Sequence, residues 1–79
     1  MKDTDVTVEL YRILKFQHDD AMARSLAADR DDEQGKLDGA TATGLGMAMA
    51  ALYRLKQDDK EWLRRTLEID VETKSQRGF

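Results

Sequence analysis

Gly39-Ala40-Thr41-Ala42-Thr43-Gly44-Leu45-Gly46-Met47-Ala48-Met49-Ala50-Ala51-Leu52-Tyr53 is the longest run of the chain without a charged side chain, and its reading decides the fold. It falls short of the ~20 apolar residues that a membrane span needs, and Gly and Thr interrupt it. Its second half, continued by Leu55, is apolar nearly all round, as buried helices are. A helix over about 37–57 is therefore expected, and it is expected to be the central one. The first half is less usual, because each Gly inside a helix costs up to ~1 kcal/mol against Ala. A compensating reason is close approach of two backbones. Ala40/Gly44, Ala42/Gly46, Gly44/Ala48 and Gly46/Ala50 stand four apart, and rows of small residues at that spacing let helices come together. Gly44, Gly46, Ala48 and Ala50 are thus candidate helix-packing or dimer residues. The alternative is a loop over 36–44, with the helix starting near Thr43.

Working outward, a long N-terminal helix is predicted over about 6–30. Asp3, Thr4 and Asp5 offer capping oxygens, and Leu10, Ile13, Leu14, His18, Ala21 and Ser25 follow helical spacing. Val6-Thr7-Val8 has the composition of a short strand, but no second such segment exists to pair with it. A helix of ~25 residues is ~38 Å long, whereas a compact domain of this size has a radius of gyration of roughly 12 Å. Its overhanging end needs cover, which points to a dimer. Asp29-Arg30-Asp31-Asp32-Glu33-Gln34-Gly35 reads as a charged connector, with Gly35 as the stop. Beyond the central helix, Asp58 and Glu61 make a capping-box pattern for a third helix over about 59–71, striped by Trp62, Leu63, Thr66 and Leu67. Residues 72–79 lack periodicity and are expected to be a mobile tail. The sum is a single all-α domain over 1–79: a three-helix up-down arrangement with a long N-terminal helix, forming a helical dimer.

The composition narrows the function. The 79 residues contain no Pro and no Cys, so nothing forces a helix break, and neither a disulfide nor a thiolate is possible. Hydrophobic residues are 41% and aromatics 6%, a thin supply for a core in a chain this short. Thirteen basic and 16 acidic residues give a net charge of −3, against the basic face a nucleic-acid binder carries. The start, with acids at positions 3 and 5, lacks the basic region of a signal peptide, and a cytoplasmic protein is expected. His18 is the sole histidine. Beside Asp19, Asp20 and Met22 it lacks converging ligands, so no metal is expected. Ser25 and Ser75 lie in no nucleophile turn. The carboxylate pairs lack an apolar setting that would tune one for acid catalysis. Gly39, Gly44 and Gly46 do not have phosphate-loop spacing. An enzyme is not expected, nor a cofactor.

Charge placement is more telling. Residues 1–38 carry six basic and ten acidic side chains, and the acids gather on the first helix and the connector after it. Asp19, Asp20, Asp29, Asp31, Asp32 and Glu33 are the candidate partner-binding residues, since acidic ends engage a Lys/Arg-lined groove and exclude its nucleic acid. Ordinary solubilising charge is the plainer reading of the same residues. With these acidic runs, Asp19-Asp20 and Asp29 to Glu33, the short, cysteine-free, helical chain resembles in size and character the small phage-encoded anti-CRISPR proteins that bind type I surveillance complexes, the type I-C kind among them. The resemblance implies stoichiometric inhibition in the cytoplasm of a bacterial host: the protein sits on Cas subunits and blocks target DNA. Two other classes fit the residues. One is a dimeric helical regulator or adaptor without DNA mimicry, antitoxin-like or a phage accessory protein. The other is a helix-turn-helix using Arg64 and Arg65, against which Asp58, Asp59 and Glu61 would repel phosphate.

Overall fold

A computed structural model describes residues 2–76, with side chains described through Thr73. Three helices make up the fold: α1 (Asp3–Ala27), α2 (Glu33–Leu55) and α3 (Lys60–Gln76). There is no strand among the described residues, and Val6-Thr7-Val8 is helical.

Both ends of α1 lie three residues earlier than the sequence suggests. Asp3, Thr4 and Asp5 are not caps but first-turn residues, and Lys2 at the N-cap makes no side-chain hydrogen bond. Each is drawn into a tertiary contact instead. Asp3 pairs with Lys56, the Thr4 hydroxyl donates to Asp59, and Arg65 donates to Asp5 at 2.6 Å. At the other end the acids decide. Asp29, Asp31, Asp32 and Glu33 would oppose the dipole at the end of α1 but favour it at the start of α2. The chain therefore breaks after Ala27, and Asp32 caps α2 by accepting from the Gln34 amide at 3.0 Å.

Gly35 is consequently not a helix stop. It lies inside α2, and residues 36–44 are helix rather than loop. α2 ends at Leu55, and Asp59, not Asp58, caps α3 by accepting from the Trp62 amide at 3.0 Å. α3 runs on to Gln76, so 72–76 of the expected tail are helical, and 77–79 lie outside the described residues.

The hairpin of α1 and α2 is antiparallel. Ala28 meets Gly35, Ser25 meets Gly39, His18 meets Gly46 and Asp3 meets Lys56. α3 lies along α1 in the same direction, with rungs at Thr4–Asp59, Asp5–Arg65, Tyr11–Asp70 and Arg12–Glu72. α1, not α2, approaches both other helices closely along the backbone, while α2 reaches α3 through side chains such as Tyr53 on Trp62.

The core sits where all three helices meet. Val8, Tyr11, Leu52, Trp62 and Ile69 are buried, with Leu14, Met49 and Leu63 against them. Trp62 is fully buried, flanked edge-on by Tyr11 (ring centres 5.7 Å apart) and Tyr53 (5.4 Å). Its indole Nε1 has no hydrogen-bond partner among the described residues. The far end of the hairpin extends past α3, and the radius of gyration is 14.0 Å, above the ~12 Å of a compact chain of this length.

Candidate interaction surfaces

The acidic candidates divide into two groups. Asp19 is buried, with Lys15 Nζ at 3.5 Å and His18 Nδ1 at 3.0 Å, and is not on offer to a partner. It lies on the wall of a groove between α1 and α3. Asp20 is exposed but engaged by Arg24, whose Nε also reaches Asp38 at 3.4 Å. Asp38, absent from the candidates, is buried at 8% exposure with Arg24 as its ion-pair partner.

Asp29, Asp31, Asp32 and Glu33 are exposed on the turn at the projecting end of the hairpin. None is in an ion pair among the described residues. Arg30 and Lys36 stand nearby, also exposed.

The small-residue candidates divide as well. Gly46 is half-buried against the His18 ring, where an added Cβ would stand 3.7 Å from Cδ2. Gly44, Ala48 and Ala50 are exposed, and an added Cβ at Gly44 meets nothing within 4 Å. The closest approach is at Gly35, where a Cβ would lie 2.5 Å from that of Ala28. The intrachain small-residue row is therefore Gly35, Gly39, Ala42 and Gly46, at i, i+4, i+7 and i+11. It faces Ser25 of α1 and Ala28 just past the end of that helix, with the buried Ala21 one turn before Ser25 on the same side. That match between two small-residue rows was present in the sequence and marks the hairpin seam.

A groove of about 340 Å³ runs between α1 and α3, lined by Arg12, Lys15, Phe16, Asp20, Ile69 and Glu72 among others. Its lining mixes both charge signs with apolar surface. Among the described residues no group of three His, Cys, Asp or Glu could hold a metal ion, and no helix is long and apolar enough to cross a membrane.

Ionisable groups are tuned by structural contacts. Hydrogen bonds from the Trp62 amide and the Thr4 hydroxyl hold the Asp59 carboxyl below the usual carboxylate range, and that from Arg65 does the same for Asp5. Burial, followed by the hydrogen bond to Asp70, pushes the Tyr11 phenol up, so it stays a donor, at 2.8 Å.

Large apolar side chains are the other surface feature. Among the described residues twelve are exposed, at 38–83%, against five in the buried core cluster. No protein family, curated protein or solved structure matches the chain.

Proposed function

We propose that the protein is a non-catalytic inhibitor that binds a protein partner and blocks its nucleic-acid-binding surface, a CRISPR surveillance complex being the candidate. The observation that carries this reading is the acidic turn. Asp29, Asp31, Asp32 and Glu33 project from one end with no internal counter-ion among the described residues. Lys and Arg side chains on a nucleic-acid-binding surface supply the missing positive charge, and occupying them excludes phosphate. The protein itself has no use for DNA in this scheme. The acting unit is an up-down three-helix protein that works as a homodimer in a bacterial cytoplasm.

The test is a mobility-shift assay with a type I surveillance complex and its target DNA. Added protein should abolish the shift in stoichiometric amounts and should shift no DNA alone. A direct shift of random duplex DNA by the protein would sink the reading in favour of a helix-turn-helix. The second reading, a dimeric helical regulator or adaptor without DNA mimicry, is favoured by the exposed apolar side chains. It predicts a dimer with no effect on the complex.

A further inference from the structure

From Met47 to Gln76 the chain contains neither Gly nor Pro, so the break between α2 and α3 is not imposed by a residue that ends helices. α2 also stops without a left-handed residue. Lys56 sits at φ −109° and ψ 11°, and its amide still donates to the Leu52 and Tyr53 carbonyls at 3.1 and 3.2 Å. Only Lys56, Gln57, Asp58 and Asp59 separate the two helices, and helix interiors accept all four. Within this turn the bend is held by Asp59, which accepts from the Trp62 amide at 3.0 Å. The Lys56–Asp59 pair, at 3.8 Å, has the i, i+3 spacing that a continuous helix keeps. The other ties run from the turn and α3 to the hairpin: Thr4 to Asp59, Arg65 to Asp5, Tyr11 to Asp70, and Trp62 between Tyr11 and Tyr53.

We infer that residues 56–59 are a hinge: straightened, they join α2 and α3 into one helix, and two opened chains exchange α3, each seating it on the other's α1/α2 hairpin. This rests on the homodimer reading above and is independent of the acidic turn. Straightening forfeits no backbone pairing, because the orphan carbonyls at the end of α2 meet the orphan amides at the start of α3. The joined helix over 33–76 is ~66 Å long and carries α3 clear of its own α1. The occupant of the vacated seat is fixed by what fills it in the closed chain. It brings an indole to lie between Tyr11 and Tyr53, an Arg for Asp5 and a carboxylate for the Tyr11 hydroxyl. It also brings Thr66, which is 1% exposed and fits no looser filling. A second copy's α3 carries all of these in register, and exchange makes each contact twice. The dimer formed this way needs no apolar surface beyond the one already buried in the single chain.

Spin labels on Ala48→Cys and Val71→Cys test this, both positions being exposed and the chain having no other Cys. Labelled chain is refolded with an excess of unlabelled chain, so that only distances within one chain are read. In the closed chain the two sites lie on antiparallel helices about 20 Å apart at most, two helix-packing distances. In the straightened chain 23 residues of helix set them ~35 Å apart. The long distance should grow with protein concentration, in step with dimer in sedimentation equilibrium. Asp59→Ala, unlabelled, gives a second reading. It removes the cap that favours the bend in both chains and should tighten the dimer about ten-fold or more. A dimer that shows only the short distance, or that Asp59→Ala weakens, overturns the exchange and leaves the homodimer reading standing. A wild type and an Asp59→Ala variant that both stay monomeric overturn both. The DNA-competition assay reports separately on the inhibitor reading.

Discussion

Two glycine-to-alanine substitutions in one helix should move stability in opposite directions. At Gly35 an added Cβ would stand 2.5 Å from the Ala28 Cβ, whereas carbon atoms in contact settle at about 3.5–4.0 Å. The obstacle is the first atom of a short side chain, so the helices themselves must part by about 1 Å at the hairpin end. Overpacking of this kind costs about 1–3 kcal/mol, and the better helix propensity of Ala returns at most ~1 kcal/mol. Gly35→Ala should therefore lose on the order of 1 kcal/mol. At Gly44 nothing lies within 4 Å, so only the propensity term remains, and Gly44→Ala should gain up to ~1 kcal/mol. For a domain this small, 1 kcal/mol is about 4–8 °C in Tm, so thermal melts followed by circular dichroism resolve the two easily. Adding Ala28→Gly to Gly35→Ala should restore the lost stability by removing the clashing methyl. A Gly35→Ala protein as stable as the wild type would refute the close approach. A destabilised Gly44→Ala whose melt depends on protein concentration would instead place Gly44 in an interface between copies.

The far-ultraviolet circular dichroism of the wild type should be that of a helical protein, and a substantial strand signal would return Val6-Thr7-Val8 to the strand reading. Asp29→Lys with Asp31→Lys should weaken binding to a basic partner far more at low salt than at high salt, since exposed charges are screened over about 10 Å at 0.1 M. These two are chosen because Asp32 caps α2 and its loss would cost the fold about 1 kcal/mol; unchanged affinity removes the turn from the mechanism. Asp59 has a lower carboxyl pKa folded than unfolded, so its contribution to stability is present above the unfolded value near 3.8 and fades as pH falls through the folded one. Acid titration of the melting temperature should be shallower in Asp59→Asn, which keeps a capping oxygen but does not titrate; an unaltered slope would exclude Asp59. Trp62→Ala should cost about 3–5 kcal/mol and leave the chain largely unfolded at room temperature, and a stable variant would contradict its place at the centre of the core.

What the sequence by itself determined is local. Apolar spacing, the absence of Pro and the acids at helix starts make three helices and no strand, because each of these acts through a turn or two of backbone. The exposed acidic connector was legible for the same reason. What only the tertiary structure decided is which helix faces which. The sequence put α2 at the centre, and only the packed structure shows α3 lying along α1 instead. Gly35 read as a stop because αL glycines end helices; the approach of Ala28, seven residues away, makes it a helix interior instead. Asp19 and Asp20 are neighbours of the same type in sequence, yet a turn of 100° buries one between Lys15 and His18 and leaves the other in water with Arg24. Burial depends on the position of other helices, and that is a property of the packed chain rather than of any segment in it.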